Sequence, residues 1–158
     1  MGGRVKNRSA RAGGSADGHL ALLTGLSSTH DELNSGGLYS YEDNSVRCII
    51  NFYGIPDVRV WGGNSFIDES RTEAPEVWAM ASPIEHLNSS SPPIFVTHGT
   101  EDATVDVSQS DSLVEALQSY GVAHVYYRLE GAVHSYGLQP PEMDLRPVLE
   151  AFLKEHLE

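Results

Sequence analysis

Three side chains suited to work together stand in this chain in the order hydroxyl, carboxylate, imidazole: Ser15, Asp102 and His134. Each closes a segment that reads as a strand end or a strand-to-helix turn. Such a pattern calls for a fold that brings three distant strand ends to one place. Open α/β sheets do this, because ligands and reactive groups gather beyond the carboxyl ends of their strands.

The hydroxyl segment, residues 13–26, reads GGSADGHLALLTGL. A serine among small residues, followed at once by an apolar helical pattern, predicts a sharp strand-to-helix turn with a strained backbone. The helix is expected from about Ser15 to Leu26, with Leu20, Leu23 and Leu26 on its buried side. At the helix start Ser15 lies at the positive end of the dipole. The N–H of Ala16 is then free to face a developing oxyanion. The simpler alternative makes Ser15 an ordinary N-cap.

The carboxylate segment, residues 92–105, reads PPIFVTHGTEDATV. Ile94 to Val96 predicts a short buried strand, and residues 98–102 a polar loop at its carboxyl end. Asp102 in that loop is placed to orient a histidine and stabilise its charged form. Asp106 is the rival acid, and Glu101 fits the loop pattern less well. His98 is expected to hydrogen-bond locally rather than bind a metal.

The imidazole segment, residues 122–137, reads VAHVYYRLEGAVHSYG. Val122 to Leu129 is β-branched and aromatic and predicts a strand. The turn 130–133 delivers His134 just beyond it, where a general base belongs. The order Ser, Asp, His is that of α/β-hydrolases; chymotrypsin-like and subtilisin-like enzymes order the same groups differently.

With these motifs in hand, the chain resembles the C-terminal half of an α/β-hydrolase of the esterase/lipase kind. It is most similar to the BD-FAE-like or acetyl-esterase-like branch, related to the prolyl-oligopeptidase hydrolases. The likeness rests on Gly13-Gly14-Ser15-Ala16-Asp17-Gly18-His19-Leu20-Ala21, Phe52-Tyr53-Gly54, Ala81-Ser82-Pro83, Pro92-Pro93, His98-Gly99 with Asp102 and Val105, and Gly131 to His134. It covers the chain from about Arg11 onward. It implies a partial α/β-hydrolase fold, a mostly parallel sheet flanked by helices, with the family's N-terminal strands missing. It also implies a serine esterase acting on short acyl or plant-polysaccharide acyl esters. In that role Ser15, Asp102 and His134 would be catalytic and Ala16 would be the oxyanion donor. Trp61, Phe66 and Trp78, in a segment 54–80 that reads as a cap or substrate-lining insertion, are expected to line the substrate or else to pack that connection onto the sheet.

The chain departs from the family pattern at several places. Asp17 replaces a glycine expected to let the helix approach its strand, and Val133 replaces a glycine beside the histidine. Residues 5–12, VKNRSARA, make a poor buried strand, so residues 1–11 read as a tail. No HGG-like loop precedes Ser15 to supply the second oxyanion donor. Losing one such donor typically costs about 2.7 to 4 kcal/mol in the barrier. The first strand would also leave an open sheet edge, which invites a homo-oligomer that completes the sheet. Two other readings follow: a catalytically incompetent hydrolase fragment or assembly module, and a serine peptidase of the prolyl-oligopeptidase type.

The formal charge of −12 argues against nucleic acid as a partner, since phosphate binding needs a basic face, and against anionic membranes. Arg4, Lys6, Arg8 and Arg11 form the only basic cluster and read as a solvated tail. No run approaches a membrane span, and no apolar leader is visible. The chain therefore reads as soluble, cytoplasmic as it stands and secreted if a leader precedes it. The lone Cys48, within a strand-like run from Val46, is expected to be a buried small hydrophobe. The seven histidines show no metal-binding spacing, so no metal and no cofactor is expected. Helices are expected over about 75–81, 108–120 with Gly121 at its C′ position, and 141–157, all in a single 158-residue domain.

Overall fold

The structure, a computed structural model, describes residues 9–28, 30, 33, 43–62 and 67–158. Four parallel strands form one sheet in the order β1 (Ala10–Gly14), β2 (Cys48–Phe52), β3 (Ile94–Gly99) and β4 (His124–Leu129). Helix α1 (Ala16–Leu26) follows β1, α2 (Pro75–Met80) and a 3₁₀ turn (Pro83–His86) precede β3, α3 (Ser108–Tyr120) follows β3, and α4 (Arg146–Leu157) follows β4. This is the α/β-hydrolase architecture expected from the sequence.

Side chains alternate across the strands and so serve two cores. Ile49, Ile94 and Val96 pack with Leu22 and Leu26 of α1 and with Leu113 and Leu117 of α3. Cys48, Ile50 and Phe95 face the other way, against Phe152 of α4. Burial on both faces explains why β3 is wholly buried and opens on the apolar run Ile94 to Val96, as parallel strands usually do. Cys48 is buried, as its apolar setting required.

Several sequence expectations need correction. Residues 10–14 form a strand although they are not an apolar run. They sit at the edge of the sheet and are only partly buried, so Arg11 is tolerated opposite Ile49. Ala10 and Arg11 therefore belong to the sheet and not to a tail. On α1 the buried face is Gly18, Ala21, Leu22, Gly25 and Leu26, while Leu20 is 54% exposed. The glycines select that face. A Cβ on Gly18 would lie 2.9 Å from Gly54 Cα, and one on Gly25 would lie 2.5 Å from Ile49 Cδ1. The close approach expected at position 17 thus falls on Gly18, and Asp17 points to solvent. The last helix begins at Arg146 and not near 141. Asp144 accepts a hydrogen bond from the Arg146 N–H at 3.0 Å and ends the preceding turn there. Gly121 does close α3 in the left-handed conformation, with φ 68°.

Candidate active site

The carboxyl ends of β1, β3 and β4 converge on one rim of the sheet. The β1–β2 ladder runs one residue past β1, through the Ser15 N–H to Phe52 O at 3.0 Å, before α1 begins. Ser15 has φ 56° and ψ −121°, a strained backbone for a residue with a side chain. Its side chain makes no helix-capping bond. Its neighbours must be small: a Cβ on Gly13 would lie 2.2 Å from the Asp17 carbonyl. Ala16 is the first residue of α1, so its N–H is one of the helix-start amides without an intrahelical acceptor.

The loops after β3 and β4 are joined to each other. The Thr100 N–H donates to Leu129 O and the Glu101 N–H to Ala132 O, each at 3.0 Å, and the Gly131 N–H donates to Thr100 Oγ1 at 2.8 Å. Gly99 allows this contact, because a Cβ there would lie 2.2 Å from Ala132 O. The joined loops carry Asp102 and His134. His134 Nδ1 donates to Asp102 Oδ2 at 2.6 Å, and Ser15 Oγ donates to His134 Nε2 at 3.0 Å. The imidazole is 17% exposed and the carboxylate not at all.

The second carboxylate oxygen is also satisfied. Asp102 Oδ1 accepts the N–H groups of Thr104 at 2.9 Å and Val105 at 2.8 Å. Burial pushes this carboxyl up, but the Val105 amide, the His134 imidazole and the Thr104 amide together outweigh it. The group stays ionised, its pKa held below the ordinary carboxylate value. Asp106 does not compete for the histidine; its Oδ1 accepts the Ser108 N–H at 2.9 Å in the turn that leads into α3.

Two tyrosines that the sequence reading left without a role stand beside the histidine. The Tyr53 ring meets the His134 ring edge-on at 4.9 Å and the Tyr136 ring at 4.7 Å. Tyr53 Oη donates to Tyr136 O, and Tyr136 Oη donates to Thr97 Oγ1, each at 2.9 Å. Among the described residues, the non-glycine positions with positive φ are Ser15, Tyr53 and Ser135. All three adjoin this rim. The only advance signal for Tyr53 was its place in the Phe-Tyr-Gly motif.

The aromatic residues of segment 54–80 divide. Trp78 is 1% exposed, packed among Ile55, Val58 and Val105, and its indole N–H donates to Glu69 O at 3.0 Å. It is a core residue and offers no surface to a substrate, because the connection folds down over it. Trp61 is half-buried and lines a cavity of about 410 Å³ with Asp102, Thr104 and Gln109. Phe66 lies outside the described residues.

Residues 5–117 match the BD-FAE family model. The chain belongs to the BD-FAE family. It is 33% identical over 151 residues to Esterase LipC of Mycobacterium tuberculosis, a match covering 86% of this chain and 36% of LipC. With Esterase LipQ of the same organism it shares 34% identity over 137 residues, covering 80% of this chain and 32% of LipQ. The chain thus spans about a third of the length of these two relatives. Among solved structures, a truncated carbohydrate esterase from gut microbiota superposes with a TM-score of 0.79 at 22% identity, covering 92% of this chain and 58% of that one. The propionate-bound Est2 esterase of Thermogutta terrifontis gives 0.69 at 24%, covering 91% and 54%. These two likenesses establish the fold. No helix among the described residues is long and apolar enough to cross a membrane. No group of three or more metal-ligating side chains occurs among them either.

Proposed function

We propose that this BD-FAE chain carries the catalytic triad of a carboxylic-ester hydrolase. The observation that carries the reading is the unbroken hydrogen-bonded path from Ser15 Oγ through His134 to Asp102 Oδ2. Ser15 Oγ attacks the ester carbonyl as its proton passes to His134 Nε2. Asp102 holds the imidazole and offsets its positive charge. The Ala16 N–H faces the developing oxyanion. Collapse of the tetrahedral adduct breaks the ester C–O bond, and His134 returns the proton to the departing alcohol. Water then attacks the acyl-serine, its proton goes to His134 and on to Ser15 Oγ, and the carboxylic acid leaves.

The proposed substrates are short acyl esters or acyl groups on plant polysaccharides. The esterase names of LipC and LipQ, and those of the carbohydrate esterase and of propionate-bound Est2, support this class. Trp61 is proposed as a lining residue. The test is covalent labelling by a fluorophosphonate and hydrolysis of p-nitrophenyl acetate, each run beside Ser15→Ala. Labelling and turnover confined to the native chain are expected. Equal behaviour of the two proteins would refute the assignment of Ser15.

A further inference from the structure

Asp102 serves two imidazoles, and the second has no part in the proton path. His98, the penultimate residue of β3, is fully buried. Its Nε2 lies 2.8 Å from Val105 O and 3.3 Å from Asp102 Oδ2, the same oxygen that His134 engages. Its Nδ1 lies 2.7 Å from Ser110 Oγ on α3. Val105 O and an ionised carboxylate only accept, so Nε2 must carry the hydrogen. Nδ1 is then the acceptor and the Ser110 hydroxyl the donor. The surroundings therefore select one tautomer and one ring orientation.

We propose that His98 is a positioning residue for the triad: Ser110 fixes its ring from behind, and its Nε2–H, bonded to Val105 O, lies 3.3 Å from Asp102 Oδ2 and helps hold that oxygen in the direction that meets His134. This inference rests on the serine-hydrolase reading above. Geometry supports it from both sides of the loop. The backbone amides of Thr104 and Val105 fix Oδ1, His134 binds Oδ2, and His98 Nε2 stands 3.3 Å from that same oxygen, so the carboxylate is contacted from both sides. Burial lowers the His98 proton affinity and outweighs the Val105 carbonyl and Asp102, so the ring is neutral.

Neutrality matters, because a cation at His98 would compete with His134 for the one negative charge. The charged and titratable groups around His98 are few. Asp102 and His134 lie on the site side, and Asp106 precedes α3. Beyond Asp102 stand the phenols of Tyr53 and Tyr136, which burial, with Asp102 adding to it, holds in their neutral form. Among the described residues Asp102 is thus the single buried anion, and the neutral His98 leaves its charge to His134.

The readout is the second-order rate of fluorophosphonate labelling at Ser15 as a function of pH, with thermal melting as the folding control. His98→Leu removes the Nε2–H. Its rate is expected to fall about tenfold, the scale of a hydrogen bond to a charged group. Its acid limb is expected to move to higher pH, because Asp102 without that donor attracts the protonated imidazole more strongly. His98→Gln keeps an N–H at the same reach and is expected to recover most of the rate and the native limb. A purely structural histidine would lower the melting temperature in both variants and leave the profile in place. That result would overturn the proposal.

An unlabelled native chain would instead refute the triad reading itself, which keeps the two failures apart. Should both variants fail to fold, the native protein decides by nitrogen-15 NMR of its imidazoles. His98 should stay neutral and Nε2-protonated between about pH 5 and 8, where histidines ordinarily titrate. A His98 that charges in that interval, or carries its hydrogen on Nδ1, would overturn the inference.

Discussion

The nucleophile turn and the acid loop stand side by side on the rim but are held by opposite means. Ser15 makes one backbone ladder bond, one side-chain bond and one helix bond, its carbonyl accepting the His19 N–H, and otherwise owes its place to what its neighbours lack. Gly13 and Gly18 let β1, α1 and the end of β2 approach so closely that a methyl group at either position would collide with backbone. Asp102 is held by what its neighbours supply, two amides and two imidazoles around a carboxylate with no exposed surface. The strain at Ser15, φ 56°, is stored by packing, whereas the charge at Asp102 is retained by donors. The first region should therefore fail when an atom is added, and the second when a donor or a charge is removed.

The largest effect should come from the acid loop. In Asp102→Asn the amide oxygen can still accept from Thr104 and Val105, but its NH₂ then faces the donor nitrogens of both His98 and His134. The His134 ring loses the acceptor that fixes its tautomer. Ester hydrolysis should fall about 10⁴-fold, the scale seen when a triad acid becomes an amide, with the fold kept. A loss below tenfold in steady-state assays would show that Asp102 does not orient the base, and the contrast between the two regions would collapse.

The nucleophile turn should break differently. The new methyl of Gly13→Ala would sit 2.2 Å from the Asp17 carbonyl, where only backbone can yield. A loss of about 3 kcal/mol is expected, at the upper end for overpacking, or roughly 10 °C in melting temperature. Gly62→Ala is the control. Among the described residues nothing lies within 4 Å of a Cβ there, and a change within about 0.5 kcal/mol is expected. Chemical denaturation of the pair checks this; equal stabilities would mean that close packing does not hold the turn.

The same contrast explains how much the sequence disclosed. Polar and glycine-marked loops were legible, because a carboxylate after Ile94–Val96 and an imidazole after Val122–Leu129 announce strand ends. The helix 108–120 and its Gly121 stop were legible from apolar spacing and turn chemistry. The packing that places Ser15 was not. Leucine periodicity pointed to Leu20, Leu23 and Leu26; Leu26 is buried, but the buried face of α1 otherwise follows Gly18 and Gly25, since the narrowest residues set the closest approach. The strand 10–14 was hidden because an edge strand needs no apolar run. His98 was expected to hydrogen-bond locally, but its contact with Ser110 spans a loop whose path no local pattern specifies.

The smallest effect sharpens the comparison through pH, since each region buries one neutral histidine. On the nucleophile side, His19 of α1 donates Nδ1–H to Ile55 O at 2.8 Å, and burial lowers its proton affinity against that carbonyl. On the acid side, His98 is lowered in the same way. A histidine whose folded value lies below its unfolded value of about 6.5 takes up its proton more readily when unfolded. Its contribution to stability is complete above about pH 6.5 and is lost as pH falls from there toward the folded value. Asp57 and Asp102, both held low, then add a second loss within the carboxylate range. Acid also relieves the self-repulsion of a chain with net charge −12, which acts in the opposite direction. Comparing the native chain with His19→Gln removes that shared background. The native stability should fall more steeply below about pH 6.5, by up to roughly 1.4 kcal/mol per pH unit for the one histidine. Parallel curves from urea unfolding at stepped pH would mean that His19 charges freely in the folded state, and that only the acid loop keeps a neutral imidazole under the rim.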